Sequence, residues 1–213
     1  MRPTKILAAI TAARVAGRIV EEGRFGGLSA FMYALHGFDV VSVEFLPLTG
    51  ATAAIKRMAP QIEMVDGDGS KLLTDGTLLR PQDAARTMVI FDGEKRFDAY
   101  KTFLKVRHLL AVAIFDDTSI DGESWAEGEE FKRHLSEQGE IWVETTDPAF
   151  APFIRRESAA LQQLAQLKGQ CAAGRGRHRF HGGIETVEKF HFTMVRGGAW
   201  QGDRTYEPRR VAH

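Results

Sequence analysis

Hydrophobic residues along this chain fall into short, nearly continuous runs rich in β-branched side chains, separated by longer helix-compatible stretches. Such runs are typical of strands covered on both faces, and their alternation with helices predicts a parallel, doubly wound α/β sheet. The last run partly alternates between polar and apolar residues, which predicts an antiparallel final strand. The predicted strands are residues 18–22, 39–44, 61–65, 87–91, 110–115, 140–144 and 189–196. The main predicted crossover helices are residues 52–58, 98–107 and 123–138.

A glycine-rich segment joins the first predicted strand to an apolar run that is compatible with a helix. The glycines at positions 23, 26 and 27 let the backbone approach a ligand closely. The N-terminus of the following helix brings N–H groups and a positive dipole end to the same point. Glu44 closes the second strand about twenty residues later, where nucleotide-binding α/β domains place an acid that binds ribose. The pattern therefore predicts a nucleoside-bearing cofactor in a Rossmann-like sheet of seven strands.

Composition narrows the class of protein. The 213 residues carry 28 basic and 28 acidic side chains, so no basic field attracts nucleic acid or an anionic membrane. The single cysteine, Cys171, excludes an intrachain disulfide and a cysteine-based metal cluster. No apolar run approaches the length of a membrane span. We expect one cytoplasmic domain over residues 1–213, with a short helix near the N-terminus, a basic loop at 172–184 and a frayed tail from 202.

Acidic residues follow five predicted strands in turn, at the edge of the sheet where open α/β folds bind ligands. They are Glu21 and Glu22, Glu44, Asp66 and Asp68, Asp92, and Asp116 with Asp117. Desolvated carboxylates repel one another unless a cation or a donor pairs with them. Asp92, Asp116 and Asp117 fit a hard divalent ion, although helix capping and loop solvation explain the same residues. The spacing alone leaves both explanations open.

Three motifs carry a family resemblance. Glu21-x-Gly23-x-x-x-Gly27-x-Ser29 resembles the first motif of class I S-adenosylmethionine-dependent methyltransferases, and is closest to the catechol and caffeoyl-CoA O-methyltransferase branch. Asp92-Gly93-Glu94-Lys95 is similar to that branch's Asp-x-x-Lys, and also to a motif of small-molecule and sugar methyltransferases. The segment from Asp116-Asp117 to Gly122 resembles the branch's Asp-Asn-x-x-x-x-Gly, with an acid in place of the asparagine.

The resemblance implies a role for each matching residue. The loop at Gly23, Gly27 and Ser29 would hold the methionine part of the cofactor, and Glu21 would help to place its amino group. Glu44 would bind both ribose hydroxyls. The remaining cofactor contacts, on the adenine side, would come from Asp68 and Gly69.

The same resemblance implies the chemistry. Asp92, Asp116 and Asp117 would bind Mg²⁺, and Lys95 beside Asp92 would deprotonate the acceptor hydroxyl. An ordinary explanation of Lys95 is an exposed lysine at the start of a helix. Few residues precede the first motif, so we expect an acceptor pocket that is open, completed by a second subunit of a homodimer, or built by the segment after residue 147.

The leading hypothesis is an S-adenosylmethionine-dependent O-methyltransferase that modifies a hydroxyl of a small molecule, assisted by Mg²⁺. One alternative is an NAD-binding oxidoreductase, although the glycine spacing differs from Gly-x-Gly-x-x-Gly. Another is a methyltransferase-like binding module without turnover. A nucleic-acid substrate is disfavoured because the charge is balanced and no aromatic-basic stripe is present.

Overall fold

The computed structural model describes residues 17–119, 123–140, 142–144 and 191–201. The predicted N-terminal helix, the basic segment at 172–184 and the tail from 202 lie outside these residues.

Strands and helices alternate along most of the described chain. The strands are β1 (Arg18–Glu22), β2 (Asp39–Glu44), β3 (Glu63–Asp66), β4 (Thr87–Phe91), β5 (Val112–Ser119), β6 (Trp142–Glu144) and β7 (His191–Arg196). The α-helices are α1 (Leu28–Leu35), α2 (Thr49–Met58), α3 (Gly69–Thr74), α4 (Arg96–Val106) and α5 (Glu123–Glu137). Short 3₁₀ helices occupy Pro81–Arg86 and Arg107–Leu109.

The described strands form one sheet in the order β3-β2-β1-β4-β5-β7-β6. Strands β1 to β5 pair in parallel, whereas β7 pairs antiparallel with both β5 and β6. This is a Rossmann-like α/β sheet with a reversed last strand, as the sequence predicts. The chain turns towards β2 on one side of β1 and continues at β4 on the other. The carboxyl ends of β1 and β4 therefore flank a topological switch point, which is where open α/β sheets bind ligands.

Each face of the sheet packs against its own set of helices. Adjacent residues of a strand point to opposite faces, so Ile19 joins one core and Val20 joins the other. Helices α1 and α2 cover the first face through Tyr33 and Ile55. The second face packs against α3, α4 and α5, with a group of stacked and edge-on aromatic rings that includes Phe115. Burial on both faces explains why the strands have nearly continuous hydrophobic sequences.

The predicted and observed elements differ at several boundaries. The third strand begins at Glu63 instead of residue 61, and α2 begins at Thr49 instead of residue 52. The fifth strand runs to Ser119, because Ser119 pairs with His191 of β7 after an irregularity in the register. Asp116 and Asp117 consequently lie within β5, not after its end.

A buried arginine fixes the loop that follows β1. The Arg24 side chain is fully buried and reaches across β2 to β3. Its guanidinium donates to the carbonyl of Ser42 at 2.7 Å and forms an ion pair with Asp66 at 2.6 Å. The carbonyl of Val43 in turn accepts hydrogen bonds from the backbone N–H groups of Gly23 and Arg24. The loop is therefore bound to two neighbouring strands.

Among the described residues, no helix is both long and apolar enough to cross a membrane.

We expect the Arg24→Met variant to lose about 2–4 kcal/mol in free energy of unfolding, because the buried Ser42 carbonyl loses its charged donor. Urea unfolding monitored by circular dichroism measures the loss. Arg133→Met is the matched control, since Arg133 forms an exposed ion pair with Glu137 and such pairs contribute about 0–1 kcal/mol. Equal losses in the two variants would contradict the role assigned to Arg24.

Candidate functional site

A cleft opens at the carboxyl ends of the central strands. Its volume is about 370 Å³. The loops after β1, β2, β3 and β4 all contribute to its wall. The described lining residues are Glu22, Gly23, Val43, Glu44, Phe45, Gly67, Asp68, Gly69, Gly93 and Glu94. The structure therefore brings together segments that are far apart in sequence.

Backbone packs directly against backbone where the first loop meets the loop after β4. Gly23 has a φ of 100°, in the region that favours glycine. A Cβ atom at Gly23 would collide with the Gly93 amide nitrogen and lie 2.7 Å from the carbonyl carbon of Asp92. Gly27, the N-cap of α1, also has a positive φ, 76°. Gly23 and Gly27 thus permit the turn, and Gly23 permits the close approach of the loop after β4. The close approach of a ligand stays a prediction.

Glu21 is a buried carboxylate beneath this loop. Its Oε2 accepts a hydrogen bond of 2.6 Å from the Ser42 hydroxyl. Its Oε1 is buried and accepts no hydrogen bond from the described part of the chain. Burial raises the pKa of Glu21 to about 7, although the hydroxyls of Ser29 and Ser42 lower it. Oε1 could accept a further hydrogen bond, but Glu21 is fully buried and is not among the described residues that line the cleft. Its contact with the amino group of a cofactor stays a prediction.

Glu44 lies at the end of β2 and lines the cleft. Its two carboxylate oxygens accept hydrogen bonds from the backbone N–H groups of Phe25 (2.5 Å) and Leu46 (3.1 Å). Each carboxylate oxygen has two lone-pair sites, so both can accept a further bond from a ribose hydroxyl. Glu44 therefore has a structural role in this loop, and its binding of ribose stays a prediction.

The predicted adenine-side residues lie at the start of α3. Asp68 is the N-cap of this helix and accepts a hydrogen bond of 3.0 Å from the N–H of Lys71. Gly69 is buried against the side chain of Glu22. Both residues line the cleft. Asp68 is thus a helix cap at the edge of the predicted site.

Asp92 and Lys95 form an ion pair directly after β4. The Lys95 Nζ lies 2.9 Å from Asp92 Oδ1, and both side chains are partly exposed. Lys95 is also the N-cap residue of α4. It does begin a helix, as the ordinary explanation supposes, but its ammonium is directed to Asp92. The structure thus brings together the two residues that were predicted to act on the acceptor.

The predicted metal ligands are only partly described. Asp116 is buried. The negative charges of Asp116, Glu21 and Asp92 all act on the hydroxyl of the buried Tyr33. Burial and these three negative charges raise the pKa of Tyr33 well above its usual value. The side chain of Asp117 lies outside the description. Within the described residues, no group of three or more potential ligands is arranged to hold a metal ion.

Solved structures with a similar fold are methyltransferases. The O-methyltransferase TomG from Streptomyces achromogenes, in complex with S-adenosylmethionine, has a TM-score of 0.54 at 19% identity, covering 91% of this chain and 78% of that one. An O-methyltransferase from Bacillus cereus, in complex with S-adenosylhomocysteine, has a TM-score of 0.53 at 15% identity, covering 91% and 80%. An rRNA methylase from Streptococcus thermophilus has a TM-score of 0.50 at 10% identity, covering 92% and 97%.

No protein-family model matches the sequence, and no curated protein matches it. The fold is nevertheless clear. The chain has the fold of the S-adenosylmethionine-dependent methyltransferases. This likeness confirms the structural resemblance that the motifs indicate.

Two residues of this methyltransferase fold have roles that the sequence did not predict: Glu22, which was placed only among the acids at the ends of the strands, and Arg24, which was not considered. Glu22 lines the cleft and accepts hydrogen bonds from the backbone of the loop after β4. Arg24 fixes the glycine loop through its contacts with Ser42 of β2 and Asp66 of β3. The sequence did offer a signal for each role. Glu22 is a charged residue in a strand predicted to be buried on both faces, and Arg24 is a charged residue inside a glycine-rich loop.

Replacing Gly23 with alanine is expected to destabilise the methyltransferase fold by about 2–4 kcal/mol, because the new Cβ atom collides with backbone and φ is positive. Thermal and urea unfolding measure this effect. Gly26→Ala provides the control in the same loop, since no atom lies within 4 Å of its Cβ position. A Gly26 variant as unstable as the Gly23 variant would refute the argument from close packing.

The raised pKa of Glu21 predicts a pH dependence of stability. A carboxyl whose pKa rises on folding stabilises the protein below its unfolded pKa, and this contribution is lost as pH rises through about 7. The pKa difference corresponds to about 3 kcal/mol. The parent should therefore lose more free energy of unfolding between pH 5 and pH 8 than Glu21→Gln.

The control for this comparison is Glu137→Gln, a change at an exposed ion pair. Burial also raises the pKa of Glu22. Because Glu22 is present in every variant, its contribution to the pH dependence of stability cancels in the comparison. Identical pH profiles for the parent and Glu21→Gln would show that Glu21 does not titrate in this range.

Proposed function

We propose that this protein is an S-adenosylmethionine-dependent methyltransferase that modifies a hydroxyl group of a small molecule. The observation that carries the proposal is the charge of the cleft at the switch point. Four of its described lining residues are acidic and none is basic. They are Glu22, Glu44, Asp68 and Glu94.

This charge discriminates between nucleoside cofactors. S-adenosylmethionine has a positively charged sulfonium and a positively charged amino group beside its one carboxylate. NAD instead has two negative phosphates, which proteins bind with free N–H groups and basic side chains. Here the N–H groups of Gly93 and Glu94 already donate to the Glu22 carboxylate. The acidic lining favours the sulfonium cofactor and disfavours a dinucleotide.

The residues present also fit the parts of the cofactor. Glu44 lines the cleft and retains acceptor capacity for the ribose hydroxyls. Glu21 would accept from the amino group if the glycine loop moved to expose its buried Oε1. Gly23 also lines the cleft, and the absence of its side chain makes room for the loop after β4 that forms the adjoining wall. When bound, the cofactor would supply an electrophilic methyl group.

The chain must then supply a nucleophilic oxygen and hold it in line with the methyl group. Lys95 and Asp92 are the candidates, because their ion pair follows β4 beside the cleft. In this proposal, Lys95 first loses a proton to solvent, and the resulting neutral amine accepts the proton of the acceptor hydroxyl while Asp92 holds the lysine in place. Such general-base assistance contributes about 10²–10⁴-fold in enzymes.

Magnesium assistance is a separate part of the proposal. Asp92 and Asp116 are carboxylates of the kind that Mg²⁺ prefers, and both act electrostatically on Tyr33. The described residues alone do not form a complete ligand set. The contribution of Mg²⁺ is therefore tested by adding it, and no step of the proposed reaction depends on it.

Titration calorimetry tests the cofactor. We expect S-adenosylmethionine and S-adenosylhomocysteine to bind at micromolar concentrations, and NAD to bind at least tenfold more weakly because its phosphates meet carboxylates. Glu44→Ala should weaken both sulfur ligands at least tenfold through loss of the ribose contacts. The control is Glu137→Ala, a loss of the same charge away from the cleft.

Repeating the titration with Mg²⁺ and with an Asp92→Asn variant tests the metal. A magnesium-dependent change in affinity that Asp92→Asn removes would support the metal site. If neither S-adenosylmethionine nor S-adenosylhomocysteine binds at millimolar concentration, the proposed cofactor is wrong.

A further inference from the structure

We propose that Glu22 is a positioning residue, which fixes the loop bearing Asp92 and Lys95 against the end of β1. The proposal concerns the loop after β4, residues 92–96, together with the strand that lies beside it. Its consequence for turnover rests on the function proposed above, but the positioning itself does not.

The hydrogen bonds around Glu22 carry the inference. The Glu22 carboxylate accepts from the N–H of Gly93 at 3.0 Å and from the N–H of Glu94 at 2.8 Å. The Glu22 backbone carbonyl accepts from the N–H groups of Asp92 and Gly93, each at 2.8 Å. One residue of β1 therefore satisfies three consecutive backbone donors of this loop. Hydrogen bonds from N–H groups to a carboxylate are about twice as strong as those to a neutral acceptor.

The surrounding glycines show that the space is shaped for this side chain. A Cβ atom at Gly93 would lie 2.9 Å from the carboxyl carbon of Glu22, and one at Gly69 would lie 3.2 Å from the same carbon. Both would approach other Glu22 atoms still more closely. The Glu22 side chain thus fills a slot between the loops after β3 and β4, and only 8% of the residue is exposed. A side chain in such a slot has little freedom to move.

The loop that Glu22 holds is conformationally strained. Arg96, the first residue of α4, has a φ of 42°, which is left-handed and disfavoured for a residue with a Cβ atom. A residue in that region costs about 1–3 kcal/mol, so surrounding interactions must enforce it. On the other side of the loop, the Thr102 hydroxyl lies 3.1 Å from the Glu94 carboxylate. Glu22 is the anchor on the β1 side.

The consequence concerns the Asp92–Lys95 ion pair. Asp92 precedes the two amides that Glu22 binds, and Lys95 follows them. An apolar residue at position 22 would leave the N–H groups of Gly93 and Glu94 without their carboxylate acceptor. The loop would then relax towards unstrained conformations, and the ion pair would lose its fixed position beside the cleft.

Amide hydrogen exchange measured by NMR on the full chain tests the positioning. The Glu94 amide is the reporter, because Glu22 Oε2 is its acceptor. The Asp92 amide is the internal control, because it donates to the Glu22 backbone carbonyl, which every variant retains. In Glu22→Leu we expect protection of the Glu94 amide to fall at least tenfold, while Asp92 changes less than about threefold.

Conservative variants make the test specific. Glu22→Gln keeps an acceptor oxygen at the same reach and should retain protection of the Glu94 amide within about threefold. Glu22→Asp keeps the charge but is one methylene shorter, so it should lose protection even if the leucine variant fails to fold. Glu137→Leu, at an exposed helix position, should leave both amides unchanged. Full protection of Glu94 in the aspartate or leucine variant would overturn the proposal, as would equal losses in the glutamine and leucine variants.

A second arm measures S-adenosylhomocysteine affinity in the same variants. We expect at least a tenfold loss in Glu22→Leu, because Gly93 lines the cleft, and restoration to within about threefold in Glu22→Gln. If the parent does not bind this ligand, the proposed function fails, while the exchange of Glu94 still decides the role of Glu22. If the parent binds and the leucine variant binds equally well, the loop does not position the cofactor site.

Discussion

The structure depends on how closely the loops after β1 and β4 approach each other. Backbone meets backbone at Gly23 and Gly93, with no room for a Cβ atom on the first of them. Parallel strands bring their carboxyl ends to one edge of the sheet, but side chains would normally hold the two loops apart. Because glycines stand at both contact points, the loops share hydrogen bonds and enclose one side of a cleft. The cleft is a consequence of this contact.

Charge burial is the second constraint on this end of the sheet. Glu21, Glu22 and Asp116 are all buried, and an unpaired charge in such a position is strongly unfavourable. The protein compensates for these buried carboxylates in different ways. The Glu22 carboxylate accepts hydrogen bonds from backbone N–H groups. Burial raises the pKa of Glu21 to about 7, although the nearby charge of Arg24 acts to lower it. An apolar end of the sheet would avoid the cost of burying these charges, and such costs are common where a protein binds a ligand.

The sequence predicts the sheet well because burial on both faces leaves long apolar runs with sharp ends. The predicted bounds of β1, β2 and β4 are those observed. It fails for the end of β5, because the extension to Ser119 depends on pairing with His191, a residue remote in sequence. The predicted start of α2 was also wrong, because a threonine followed by a glycine, as at Thr49 and Gly50, is more typical of a turn than of a helix.

The site shows the same division between local and remote information. Gly23, Glu21 and Glu44 are predicted from a spacing that is visible within one strand–helix–strand unit, and the structure places all three at the same end of the sheet. The roles of Glu22 and Arg24 do not, because a charged side chain is ordinarily expected in solvent. Only the fold reveals that Glu22 faces the amides of Gly93 and Glu94, and that Arg24 reaches Asp66.

The reversed strand β7 has a consequence for the order of assembly. It lies between β5 and β6, although it follows both in the chain. During synthesis, β1 to β5 can therefore pair in sequence order while the far edge of β5 has no neighbour. An open strand edge invites pairing with other chains, and contacts between distant residues form slowly. The nascent protein is thus most exposed to aggregation in the interval before residues 191–196 emerge and cover that edge.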